Sequence, residues 1–132
     1  MDSKTGHHLQ GARVLVVEDE YFIADDLVRA LVSCGATPVG PVGTLEQASR
    51  LLENEQVDAA ILDLNLHGDM AYPLAERLSR EQMPCLIISG YAGESLPDSL
   101  KGMARLEKPV SPKVAMSSLS QELGRWSGAA AF

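Results

Sequence analysis

The sequence is short of basic residues, of cysteine and of long apolar runs, and each shortage excludes something. Lys and Arg number 11 against 18 Asp and Glu, a formal net charge of −7. Phosphate backbones are gripped by clustered Lys and Arg, so this balance argues against direct nucleic-acid binding. Two cysteines, Cys34 and Cys85, are too few for a disulfide scaffold and lack metal-ligand spacing. Both sit among apolar residues and read as core thiols of a reducing compartment. No apolar run approaches the ~20 residues of a membrane span, and the first residues lack the apolar stretch of a signal peptide. The expectation is a cytoplasmic protein with no membrane insertion.

What is present fits one α/β domain. A chain of 132 residues, 45% of them apolar, is too short for two ordinary domains and long enough to bury a core. Residues 1–11 are polar and read as a flexible arm; His7-His8 reads as a disordered pair rather than a metal site. Three continuous apolar runs, Arg13 to Val17, Ala59 to Leu62 and Cys85 to Ile88, carry the signature of strands buried on both faces. Thr37 to Val42 is a Pro-interrupted edge strand, and Arg105 to Glu107 a brief fifth strand.

Helical periods fill the gaps. Ile23, Leu27, Ala30, Leu31 and Cys34 recur at spacings of three and four, with Gly35 as the stop. Thr44 and Gln47 form a capping-box pattern. A third helix spans about Ala71 to Arg80, with Pro73 in its first turn. Tyr91 to Met103 holds two glycines and a proline and leaves room only for a short or degenerate fourth helix. Ser111 and Pro112 cap and start the last helix, whose inner face is Met116, Leu119, Leu123 and Trp126. Residues 12–126 make the domain and 127–132 a loose tail. Alternating β and α elements require right-handed crossovers, hence a doubly wound five-stranded parallel sheet with helices on both faces.

In such a sheet, ligands bind beyond the carboxyl ends of the strands. Reading the residues at those ends gives Glu18 and Asp19, then Asp63, then Ser89, then Lys108. Each alone has a plain structural explanation: Glu18-Asp19-Glu20 as a helix N-terminus, Asp63 and Ser89-Gly90 as turns, Lys108 as a surface lysine. Together they gather three carboxylates, a hydroxyl and an ammonium at one edge. Clustered carboxylates repel one another unless a cation lies among them. Oxygen donors with no neighbouring Cys or His in the sequence point to Mg²⁺.

Val16-Val17-Glu18-Asp19-Glu20, Ile61-Leu62-Asp63-Leu64-Asn65, Ile88-Ser89-Gly90 and Glu107-Lys108-Pro109 together resemble the receiver domain of two-component response regulators, in order and spacing, over about Ala12 to Leu123. The resemblance implies that Asp63 is the phosphoacceptor and that Glu18 and Asp19 hold Mg²⁺ with Asp63 and the backbone carbonyl of Asn65. It implies that Ser89 binds a phosphoryl oxygen, that Lys108 pairs with Asp63 or its phosphoryl group, and that Lys108-Pro109 is cis. The implied donor is a histidine kinase or a histidine phosphotransfer protein.

Two features depart from the common receiver. The switch aromatic three residues before the lysine is replaced by Arg105. Pro84 to Tyr91 resembles a divergent form of the motif of the single-domain "FAT GUY" regulators, with Cys85 and Ile87 in place of two Phe. Tyr91 and Arg105 are therefore the candidate switch residues. With nothing after Leu123 long enough for an effector, output is expected through a downstream protein target. Two other readings are a pseudo-receiver that docks without phosphorylation and a Mg²⁺-dependent phosphohydrolase. The first usually loses an acidic or Lys position, and the second needs a cap domain and an Asp-x-Asp after the first strand.

Overall fold

The computed structural model describes residues 7–90 and 96–130, the side chains of His7 and of residues 126–130 excepted. Strand β1 (Arg13–Val17) leads into helix α1 (Tyr21–Ser33), followed by β2 (Thr37–Val42), α2 (Leu45–Asn54) and β3 (Ala59–Asp63). A two-residue ladder, β4 (Asn65–Leu66) with β5 (Asp69–Met70), precedes α3 (Tyr72–Arg80). Then come β6 (Cys85–Ser89), β7 (Ala104–Glu107) and α4 (Pro112–Ala130). The main sheet has the order β2-β1-β3-β6-β7 and every pairing in it is parallel. The doubly wound five-stranded sheet read from the sequence is the one observed.

Strand alternation sorts the core into two layers. Val14, Val16, Ile61, Leu86 and Ile88 face α1 and α4, packing on Leu27, Leu31, Met116 and Leu119. Leu15, Val17, Leu62 and Ile87 face the other way, onto Ala48 of α2 and Leu74, Ala75 and Leu78 of α3. Both faces of β3 and β6 are covered, which is why their runs are continuously apolar.

The local signals act as their chemistry requires. Gly35 takes φ +81° beyond α1, and the Ala36 N–H closes the helix end on Leu31 O at 2.9 Å. Thr44 Oγ1 accepts from Gln47 N–H at 3.1 Å, while Gln47 Oε1 reaches back to Gly43 N–H rather than to Thr44 itself. Ser111 Oγ accepts from Val114 N–H at 3.3 Å and Pro112 opens α4. Lys108-Pro109 is cis, as expected, and so is Gly40-Pro41.

Two expectations need correction. The polar arm is not loose up to residue 11: His7–Leu9 form a 3-10 turn whose Leu9 is fully buried against the α1–α4 layer. Ser120 Oγ accepts the His8 N–H at 3.1 Å, and Ala12 N–H bonds Leu9 O at 2.9 Å. One leucine in a polar stretch has no period, so its burial is invisible to pattern reading. Second, α4 continues to Ala130, into the segment expected to be a loose tail; alanines supply the helix propensity. Trp126, expected on the inner face, lies where side chains are not described. The segment between β6 and β7, expected to hold a short or degenerate helix, forms no α-helix among its described residues. A 3-10 turn, Asp98–Leu100, stands there and buries Leu100.

The Leu9 turn gives a direct test. Leu9→Ala removes a fully buried leucine, a change that costs about 2–5 kcal/mol in other cores. Urea unfolding is expected to show a lower midpoint at an unchanged slope. An unchanged midpoint would mean that the turn contributes nothing to the domain.

Candidate functional site

The parallel register brings the strand ends to one edge of the sheet. Glu18 follows β1, Asp63 is the last residue of β3, Ser89 the last of β6, and Lys108 follows β7. Asp63 is paired with Ile88 and Ser89 with Glu107, so the strands end together. Carboxylate oxygens of Glu18, Asp19, Glu20 and Asp63 lie within 4.8 Å of one another. Glu18 and Asp63 are buried, with 3% and 1% of their surface exposed.

One ammonium serves three of these carboxylates. Lys108 Nζ is 2.7 Å from Glu20 Oε1, 2.9 Å from Asp63 Oδ2 and 3.4 Å from Glu18 Oε2. Burial pulls the Lys108 ammonium down, but its hydrogen bonds to Glu20 and Asp63 outweigh this, and the net shift is upward. The remaining Asp63 oxygen, Oδ1, accepts from Asn65 N–H at 3.0 Å. Glu20 is the N-cap residue of α1, yet its side chain does not cap the helix; it binds Lys108. The acidic triplet is therefore more than a helix terminus, and Glu20 is a site residue that the strand-end reading missed.

Glu18 carries the clearest sign of something the side chains alone do not supply. Its Oε2 accepts from Glu20 N–H at 3.1 Å and faces Lys108. Its Oε1 is buried and has no hydrogen-bond partner among the described residues. Burial pushes the Glu18 carboxyl up to about 8, and the adjacent Asp63 carboxyl adds to the rise while Glu20 N–H and Lys108 oppose it. Two carboxyls pressed together hold either a proton or a cation between them. The donors are oxygens and one of them is vacant and buried, so the residues present fit a hard divalent cation.

Ser89 has Arg105 and the Lys108 backbone as its partners. Its hydroxyl is fully buried and accepts from Arg105 Nε–H at 3.0 Å, while its carbonyl accepts from Lys108 N–H at 2.8 Å. Arg105, one of the two candidate switch residues, reaches across from β7 to Ser89. With the guanidinium donating to Oγ, the hydroxyl keeps its own hydrogen for another acceptor. Tyr91, the other candidate switch residue, lies outside the described residues. Asn65 sits on β4, and its side chain accepts from Gly68 N–H at 2.7 Å.

The β4–β5 ladder was not foreseen. Its two central residues, His67 and Gly68, have φ of +52° and +92°, the signs that a type I′ hairpin turn requires. A His-Gly pair is a weaker signal than Asn-Gly, and two-residue strands leave no alternation to read. The turn brings His67 Nδ1 to 3.1 Å from Asp19 Oδ2.

A doubly wound parallel sheet with acidic groups, a serine and a lysine at its carboxyl edge defines a class of small α/β domains with one polar site. Comparison with known proteins makes the family specific. Residues 14–119 match the family model of the response regulator receiver domain, so the chain belongs to that family. It is 34% identical to SdrG from Sphingomonas melonis Fr1, whose solution structure aligns over 83% of this chain and 96% of that one with a TM-score of 0.70. A CheY-like receiver domain protein from Methanospirillum hungatei JF-1 is 25% identical over 91% of this chain and 99% of its own, with a TM-score of 0.77. The response regulator PhyR from Brucella abortus is 24% identical; the alignment takes in 95% of this chain and 54% of that protein, at a TM-score of 0.78, and shows the shared fold. No curated protein gives a significant match.

Proposed function

We propose that the protein is a phosphoaccepting switch: Asp63 takes a phosphoryl group from a phosphohistidine donor, and the modified domain binds a downstream protein. The observation that carries this reading is Asp63 itself, a buried carboxylate held by Lys108 on one oxygen and by the Asn65 N–H on the other. The site is built to orient that carboxylate and to neutralise charge arriving beside it.

In the transfer, an Asp63 oxygen forms a bond to phosphorus as the phosphorus–nitrogen bond breaks in a donor ring protonated on its other nitrogen, leaving a neutral imidazole and an acyl phosphate. Lys108 already touches Asp63 and neutralises an equatorial phosphoryl oxygen. Ser89 donates its free hydroxyl hydrogen to the phosphoryl group, with Arg105 fixing the oxygen from behind. Glu18, Asp19, Asp63 and the Asn65 carbonyl are the residues that would hold Mg²⁺, which supplies further charge neutralisation on the transferring group. The new group competes with Glu20 for Lys108, so its arrival releases one contact as it makes another.

The donor fits a histidine kinase or a histidine phosphotransfer protein. Tyr21 and Phe22, 74% and 80% exposed, stand edge to face beside the acidic cleft and offer an apolar landing for a protein donor. No described helix is long and apolar enough to cross a membrane.

Incubation with acetyl phosphate tests the reading. The protein is expected to take up label only with Mg²⁺ present, in a base-labile linkage that maps to Asp63. Absence of label at saturating Mg²⁺, from acetyl phosphate and from phosphorylated kinase alike, overturns it. Asp19→Ala bears on the cation: with one carboxylate ligand removed, the Mg²⁺ titration of the wild type, expected between tens of micromolar and about a millimolar, is expected to shift at least tenfold weaker. An unshifted titration would take Asp19 out of the site.

A further inference from the structure

We propose that His67 is a donor to the divalent-cation site, and that it tilts the site toward imidazole-binding ions such as Co²⁺, Ni²⁺ and Zn²⁺ relative to Mg²⁺. The inference deepens the phosphoacceptor reading and rests on the same acidic pocket. It concerns which cation the pocket favours.

Three observations carry it. His67 Nδ1 lies 3.1 Å from Asp19 Oδ2, a carboxylate whose side chain is only 7% exposed. Two neighbouring ligands of an octahedral ion, each about 2.1 Å from it, stand about 3.0 Å apart, so the pair already has the spacing of adjacent donors. When Nδ1 carries a hydrogen, that spacing is a hydrogen bond; to bind an ion, the imidazole would lose that hydrogen and turn its lone pair off the line to Oδ2, toward the shared ion. The second observation is the buried, unpartnered Oε1 of Glu18, which lies with Asp19 in the cluster of four carboxylates that His67 reaches through Asp19. The third is the backbone. His67 is one of only two non-glycine described residues with positive φ, and it holds that conformation at the tip of a turn starting two residues after Asp63. A strained conformation next to a site is a reason to ask what it positions. Here it folds the imidazole back over a cleft of about 350 Å³ lined by Glu18, Asp19, Tyr21, Gly43, Thr44 and His67.

The chemistry follows from the donor type. A set of carboxylate and carbonyl oxygens suits Mg²⁺, which keeps its remaining positions filled with water. Replacing one such water by an imidazole nitrogen gains little for Mg²⁺ and much for later first-row ions, which bind imidazole strongly. His67 is 81% exposed along its side chain, so it can swing onto an ion without disturbing the core.

The test compares Co²⁺ and Mg²⁺ binding by wild type and by His67→Asn. Asparagine tolerates the left-handed backbone and lacks the imidazole. The expected result is a Co²⁺ affinity about tenfold or more weaker in His67→Asn, with Mg²⁺ affinity within about twofold of wild type. His7 and His8 are common to both proteins and cancel. In the nitrogen-15 spectrum of the wild type, Zn²⁺ is expected to shift the Nδ1 resonance of His67, and Mg²⁺ to leave it in place. Equal Co²⁺ affinity in the two proteins, or a Zn²⁺-insensitive His67 resonance, overturns the proposal. Acetyl phosphate labelling with Mg²⁺ separates the two readings: if His67→Asn is labelled like wild type while Co²⁺ binding is unchanged, the switch stands and the role of His67 falls. If Asp19→Ala and His67→Asn both leave Co²⁺ binding unchanged, the pocket holds no such ion and the proposal falls with it.

Discussion

Asp63→Asn protein, incubated with acetyl phosphate and Mg²⁺, is expected to carry no label at residue 63 under conditions that label the wild type fully. The amide keeps the size and planarity of the carboxylate, and its single oxygen still serves one of the two donors, Asn65 N–H or Lys108, that bind separate oxygens of Asp63. What it loses is the anionic oxygen that forms the bond to phosphorus. Because Asp63 is 1% exposed and closes β3, the isosteric change is expected to leave the fold intact, which a far-ultraviolet spectrum and a cooperative melt check. The variant is also expected to lose affinity for a beryllofluoride phosphoryl mimic, since that mimic must coordinate the same oxygen. Labelling at the wild-type rate with the label on Asp63 replaced would place the acceptor elsewhere.

The second large effect is on stability. In the presence of a chelator, Glu18→Gln is expected to be more stable than the wild type at pH 8, by an amount on the order of a few kcal/mol. The folded-state carboxyl of Glu18 is pushed up to about 8 from its ordinary 4.5. Between those values the folded protein binds a proton that the unfolded chain releases, so stability falls as pH rises from about 4.5 to about 8. Below that window both states are protonated; above it the burial of the charge counts in full. Glutamine is neutral throughout and removes this slope. Denaturant midpoints of the two proteins at pH 5 and pH 8 read the effect of Glu18 together with its coupling to Asp63 and Lys108. Adding Mg²⁺ at pH 8 is expected to stabilise the wild type more than the variant. A variant that is no more stable at pH 8 than at pH 5, relative to wild type, would mean that Glu18 is charged at little cost.

The residues at the strand ends were legible because a parallel sheet brings its carboxyl edges together whatever the intervening chain does. Glu18, Asp63 and Lys108 each directly close or follow a strand, and the apolar runs mark where those strands stop. Reach was less legible. Arg105 lies sixteen residues after Ser89 on the neighbouring strand, opposite Ile87 rather than Ser89, and only the length of its side chain takes it there. Glu20 resembled a cap because it occupies the cap position; the structure turns its carboxylate to Lys108 instead. His67 depends on a turn of two residues with positive φ, for which Asn-Gly would have been a plain signal and His-Gly is not. Leu9 had no periodic neighbours to announce it.

The outer strands carry one further consequence. Along β2, Thr37 N–H points inward to Ala12 O, so the alternation of a strand turns the next residue, Pro38, toward open water. A proline there presents no N–H to an approaching chain, and Pro41 after Gly40 shortens the flat stretch again. The opposite border, β7, is four residues long and places the charged Arg105 and Glu107 among its members. Neither border offers the long row of unpaired backbone groups on which another sheet could grow. A crowded population of this chain can therefore meet side chain to side chain, through helices and loops, with little tendency to join sheets into a ribbon.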